Sequence, residues 1–168
     1  IDRLSRQCVN QGKSAMSKTD FQPADPHFAE RVQKSFARQG IMRFIGATLP
    51  VIEPGYCEIH LPFKAELTQQ HGFFHGGVIG AIADSAAGYA GYSLMAVDAG
   101  VLTIEYKMNI VAPGDGELLI AEGTVLKPGR TITVTKADVF AVKNGKRKLC
   151  ATMLQTLAVR TGIPEFLG

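Results

Sequence analysis

The stretch HGGVIGAIADSAAGYAGYSLMAV, residues 75–97, constrains the chain more than any other. It is predominantly apolar, and its one carboxylate is Asp84. A membrane span is the first reading to weigh. Its apolarity comes mostly from Gly and Ala, however, and Asp84 would lie near the bilayer centre at a cost of about 2.5–3.5 kcal/mol. A helix buried inside a soluble protein fits better. Small side chains let such a helix approach a sheet more closely than a Leu-rich helix could, so the partner to expect is a sheet.

The rest of the sequence supplies one. VLTIEYKMNIV, ELLIAEGTVLK, RTITVTKADVFAVK and KLCATMLQTLAVR follow in succession, each rich in β-branched residues. Pro113-Gly114, Pro128-Gly129 and Asn144-Gly145 separate them, and the last is a strong two-residue hairpin signal. The succession predicts an antiparallel meander. Upstream, Cys57, Ile59, Leu61 and Phe63 alternate with Glu58, His60 and Pro62, which predicts a half-buried strand after a turn at Pro54-Gly55. Period-two patterning is expected from Met42 onward. DPHFAERVQKSFARQG carries the punctuation of a surface helix, with Asp25 as N-cap, Pro26 in the first turn and Gly40 as the stop. Phe28, Val32 and Phe36 fall four apart and form its apolar stripe. The expected fold is a small α+β domain with one long helix, roughly 76–95, packed along a curved antiparallel sheet. Residues 1–24 read as a polar tail, with Met16 a candidate natural start, and residues 25–165 as a single domain.

Length and composition agree with one globular domain: 168 residues, 46% hydrophobic and 20% charged. A net charge of +3 permits an anionic small-molecule ligand but falls far short of a nucleic-acid-binding profile. The three cysteines, Cys8, Cys57 and Cys150, are an odd number without C-x-x-C spacing. That argues against a disulfide framework and a zinc site, and fits a reducing, cytoplasmic setting.

The chemistry concentrates at the long helix. The His75-Gly76-Gly77 turn puts His75 or Gly76 at a helix N-terminus, where backbone N–H groups lack intrahelical partners and carry partial positive charge. Glycine leaves room for a ligand oxygen, as in an oxyanion hole or a phosphate site. An ionised Asp84 among Ile82, Ala83, Ala86 and Ala87 costs several kcal/mol unless it is paired or solvated. It is either a structural carboxylate bonded to a strand or a functional one, and the electrophile-binding turn in the same segment favours function. His75 could act as a base, but a helix N-terminus disfavours its charged form, so holding the turn is its better role. Gln69 could orient a water. His71 and His75 straddle a glycine turn without a third ligand, so no metal is expected. GGVIGAIAD lacks the spacing of a dinucleotide fingerprint, and no G-x-S-x-G surrounds Ser85 or Ser93.

LTQQHGFFHGGVIGAIADSAAGYAGYSLM, residues 67–95, closely resembles the signature segment of hotdog-fold thioesterases of the phenylacetyl-CoA thioesterase (PaaI-like) type, within the 4-hydroxybenzoyl-CoA thioesterase superfamily. TIEYKMNIVAPG and VLKPGRTITVTKADVF extend the resemblance over roughly residues 40–160. The resemblance implies a hotdog fold, a curved antiparallel sheet wrapped around one central helix, and hydrolysis of an acyl-CoA thioester. It implies Asp84 as general base or nucleophile, Gly76 as the amide that polarises the thioester carbonyl, and Thr103 in contact with the attacking water. Gln69 stands where relatives often have Asn, one methylene shorter, and would help position water. It further implies dimers joined sheet edge to sheet edge, or tetramers, with the site between subunits. CoA enters as substrate, and no cofactor, nucleic acid or membrane is expected. Gly77, Phe73, Phe74, Tyr89 and Met108 are candidates to surround an aryl or medium-chain acyl group. Arg130, Lys143, Lys146, Arg147 and Lys148 are candidates for the CoA phosphates. The rival readings are a hotdog hydratase or dehydratase, which lacks the expected spaced Asp and His pair, and a non-catalytic acyl-CoA-binding module.

Overall fold

The computed structural model describes residues 21–162. Cys8 and Met16 lie outside them, as does all but the end of the expected tail. Just before the first helix, the Ala24 N–H donates to the Leu94 carbonyl at 3.4 Å.

Helix α1 runs Phe28–Arg38 and buries Val32 and Phe36 from the expected stripe. Its N-cap is His27 rather than Asp25. Asp25 instead accepts from the His27 N–H and from Arg31 Nε, both at 2.8 Å. Arg31 in turn donates to the carbonyls of Tyr92 and Met95 and lies 4.1 Å from the Tyr92 ring centroid. This pins α1 to the end of the central helix.

The expected stop at Gly40 and strand from Met42 are both corrected. The chain breaks at Gln39, and Gly40 begins a second helix, α2, Gly40–Ile45. Met42 and Ile45, three apart, are its buried face. A segment of six residues holds too few turns to separate helical spacing from alternation. Gly46, at φ 82°, ends α2 in the left-handed region that glycine tolerates.

Strands β1 (Thr48–Glu53) and β2 (Tyr56–Pro62) form a hairpin across Pro54-Gly55, with Cys57, Ile59 and Leu61 fully buried. Phe63 lies beyond the strand and is exposed. A 3₁₀ turn at Ala65–Leu67 leads to the long helix α3, Gly76–Tyr92. Then come β3 (Ala99–Ile110), β4 (Leu118–Lys127), β5 (Ile132–Lys143) and β6 (Lys146–Thr161). Asn144 and Gly145 both take positive φ, the geometry of the two-residue hairpin their sequence predicts.

The sheet order is β1-β2-β4-β5-β6-β3, antiparallel throughout. The expected four-strand meander is therefore only three strands long. β3 pairs with β6 at the far edge, and β4 returns beside β2. The connection from β3 to β4 passes the start of α3, where the Phe74 N–H donates to the Gly114 carbonyl at 3.0 Å. This crossover lets one continuous sheet enclose the helix, which packs against β2, β3, β4, β5 and β6. Close approach is achieved on both sides. A Cβ at Gly123 of β4 would overlap the backbone of Ala86 and Ala87. The fold is the α+β arrangement of one helix wrapped by an antiparallel sheet. No helix among the described residues is long and apolar enough to cross a membrane.

Candidate active site

α3 starts as its sequence requires. His75 is the N-cap, with φ −66° and ψ 140°, and its Nδ1 accepts from the Gly77 N–H at 2.9 Å. That bond uses Nδ1 to hold the turn. The neighbouring Gly76 N–H, first in the helix, takes no acceptor among the described residues. It is a partly exposed donor at the positive end of a five-turn helix.

Asp84 is half-buried, and polar partners surround the carboxylate that its sequence neighbours leave stranded. Thr103 Oγ1 of β3 donates to Oδ1 at 2.8 Å. Gln155 Nε2 of β6 donates to the same oxygen, approaches the Asp84 carbonyl at 3.4 Å and lies 3.1 Å from Thr103 Oγ1. Thr135 of β5 completes the chain, its hydroxyl donating to Gln155 Oε1 at 3.1 Å. Thr135 and Gln155 are both fully buried. No described residue donates to Oδ2. Next along the helix, Ser85 Oγ donates to Gln39 Oε1 at 3.1 Å, tying the α1–α2 junction to α3.

The structure thus joins Thr103, which the resemblance sets against the attacking water, to Asp84 itself, and adds Gln155 and Thr135, which sequence reading missed. The missed signal lay in register. Met153, Gln155 and Leu157 alternate inward on β6, so a long amide occupies a position that packing alone would fill with an aliphatic residue.

Other candidates are not brought to Asp84 within one chain. Gln69 turns back into its own loop, its Oε1 accepting from the His71 N–H and its N–H donating to the Phe73 carbonyl at 2.9 Å. Gly76 lies eight residues before Asp84, or ~12 Å along the helix axis. Phe74 and Tyr89, candidates to surround the acyl group, are buried in the core of the single chain. Phe74 is buried edge-on to Phe63, with centroids 5.5 Å apart. Tyr89 packs edge-on to Phe36 and Tyr92, shares a hydrogen bond with Ser35, and its phenol is pushed up to about 12 by burial. Phe73 is half-buried in the turn before the helix, and Met108 of β3 faces Gly80. Gly77 stays exposed beside His75.

The basic candidates divide by position. Lys143, Lys146, Arg147 and Lys148 sit at the β5–β6 hairpin, on the same end as the start of α3 and the Gly114 turn. Lys143 pairs with Asp115 at 2.8 Å. Arg147 pairs with Glu122 and lies 4.4 Å from the Phe140 ring centroid. Arg130 is exposed before the other end of β5, thirteen residues before Lys143 and ~40 Å away along an extended strand. It does not belong to the hairpin cluster. Among the described residues no group of His, Cys, Asp and Glu could hold a metal ion.

Residues 71–148 match the family model described as the thioesterase superfamily. A thioesterase family protein from Silicibacter pomeroyi is 44% identical in its crystal structure, with a TM-score of 0.79, and the match covers 80% of this chain and 99% of that one. A provisionally named esterase of Saccharolobus solfataricus is 31% identical over 76% of this chain and 83% of its own. The E. coli PaaI protein from the phenylacetic acid degradation operon shares the fold at 19% identity, with a TM-score of 0.71 over 81% of this chain and 96% of its own. The chain is therefore a hydrolase and a member of the thioesterase superfamily.

Proposed function

We propose that the protein hydrolyses an acyl-CoA thioester, with an aryl or medium-length acyl group, to a carboxylic acid and free CoA, at sites shared between two copies of the chain. One observation carries the reading. A carboxylate with one oxygen free and an open helix N-terminus lie on the same helix, too far apart to meet one carbonyl, beside an edge strand whose apolar residues are exposed. Leu102, Ile104, Tyr106 and Ile110 on β3 are about half exposed. An unpaired edge of this composition is suited to pair with a second copy. Such pairing would bring Gly76 of one copy to Asp84 of the other.

In that site the Gly76 N–H donates to the thioester oxygen. Water attacks the carbonyl carbon and gives its proton to Asp84. The tetrahedral oxyanion is held by the Gly76 amide, an effect worth about 3–4 kcal/mol in comparable sites. Collapse breaks the C–S bond, and the CoA thiolate takes up the proton. Alternatively, Asp84 attacks directly and water hydrolyses the resulting anhydride; both routes balance and both need the carboxylate. Neither needs a cofactor. Thr103 orients the carboxylate, His75 fixes the oxyanion turn, and Gln69 keeps that loop closed. Phe73, Tyr106 and Met108 suit an aryl or medium-chain group. Lys146 and Lys148, with Lys143 and Arg147 once released from their carboxylates, suit the CoA phosphates. Cys57 and Cys150 are free, buried thiols, in keeping with a reducing setting.

The test is incubation with a panel of aryl- and straight-chain acyl-CoAs and a thiol reagent. Free thiol released fastest from aryl or medium-chain members is the expected result. A change in enoyl absorbance without thiol would indicate a hydratase, and saturable binding without turnover an acyl-CoA sensor; either would end this reading.

A further inference from the structure

We infer that Gln155 is the positioning residue for the Asp84 carboxylate, held in its working orientation by Thr135. The inference rests on the catalytic role proposed for Asp84. Gln155 sits in a row of inward-facing residues between Met153 and Leu157 and is fully buried. Burying a primary amide costs free energy unless every polar atom finds a partner. Here each does, and the pattern of donors has only one consistent arrangement. Turned the other way, Gln155 would set its carbonyl oxygen against the Asp84 carboxylate, acceptor against acceptor. The amide nitrogen therefore faces Asp84 and Thr103, and the Thr135 hydroxyl donates to the oxygen left behind. Because Gln155 Nε2 also points at Thr103 Oγ1, the Thr103 hydroxyl hydrogen is directed to Asp84.

Both donors converge on Oδ1, which locks the carboxylate plane and leaves Oδ2 as the oxygen free to meet water or thioester. Thr103 lies on the exposed edge strand, whereas Gln155 and Thr135 lie in the enclosed part of the sheet. Gln155 is thus the inner anchor of the group, set by the fold before any partner or substrate arrives.

The role is tested with Gln155→Leu and Thr135→Val, each made in the wild-type and the Asp84→Asn backgrounds. kcat and KM are measured with the fastest acyl-CoA of the panel, and folding is checked by thermal melting. Gln155→Leu should lower kcat about 10–100-fold with KM changed less than about two-fold, because a misoriented group loses rate rather than binding. Thr135→Val leaves every Asp84 contact in place but frees the amide to turn, and should lower kcat about 3–10-fold. Neither should lower the residual rate of Asp84→Asn further, since residues acting through one group are non-additive. Wild-type kcat in Gln155→Leu, or equal losses in both backgrounds, overturns the inference. If Gln155→Leu does not fold, Thr135→Val decides, and an unchanged kcat there overturns it. Full activity of Asp84→Asn itself would instead remove the proposed function on which the inference rests.

Discussion

Strands β3 and β5 are each twelve residues long, flank β6 on opposite sides and run antiparallel to it. In β5, Thr133, Thr135, Ala137, Val139 and Ala141 are buried on one face, and the alternate positions are half-exposed. In β3 only Ala99 is buried, and apolar residues on the same length of strand stand open to solvent. The difference is one of place rather than composition. β5 lies within the enclosed sheet and its side chains serve the core of this chain. β3 closes the sheet at an edge, so its apolar residues can be covered only from outside. Asp84 sits at the boundary, held by Thr103 from the open strand and by Gln155 and Thr135 from the enclosed ones.

The contrast breaks most severely where both sides meet. Asp84→Asn is nearly isosteric and should keep the fold, but it removes the only carboxylate in the proposed site. kcat should fall about 10²–10⁴-fold in the thiol-release assay, with acyl-CoA affinity changed little in a direct binding titration. An open-strand change should act differently. Ile104→Lys places a charge on the exposed edge, and at dilute protein it should cut activity by about tenfold or more while the melting temperature of the monomer holds. Light scattering should show a smaller species in parallel. The matched change inside the enclosed sheet, Val139→Ala, should do the reverse. It opens a cavity costing about 2 kcal/mol and lowers the melting temperature by about 4–8 °C, while activity below the melt survives. The smallest effect belongs to the surface charges. Lys146→Glu with Lys148→Glu should raise KM for acyl-CoA about two- to fivefold at low salt, fading near 0.5 M, because exposed charges are screened. Arg130→Glu, at the far end of β5, should leave KM unchanged.

The same contrast explains what could be read from the sequence. The long helix was legible because Gly and Ala apolarity interrupted by one Asp has few soluble solutions. β2 and the Asn144-Gly145 hairpin were legible because alternation and turn chemistry are local. Sheet order was not: β3 and β5 both read as strands, and nothing local in VLTIEYKMNIV says that it will pair with β6 rather than β4. α2 was missed because six residues hold too few turns to separate period 3.6 from period 2. Asp84 and Gly76 stood out through their chemistry. Gln155 did not, because its importance depends on three strands converging on one helix position. Phe74 and Tyr89 looked like lining residues by type, and only burial identifies them as core.

The central claim is that one working site takes Asp84 from one copy and Gly76 from another. It is tested most directly by mixing two inactive variants. Gly76→Pro deletes the amide donor at the first helical position, where proline is well tolerated, and His75 already has the extended backbone that precedes a proline. Asp84→Asn supplies the other defect. Unfolded together in equal amounts and refolded, they should form about half mixed dimers, each with one site intact and one doubly defective. Activity should therefore return to about one quarter of wild type, whereas each variant refolded alone stays inactive. A mixture no more active than its components would mean that each site is complete within a single chain, and would contradict the account.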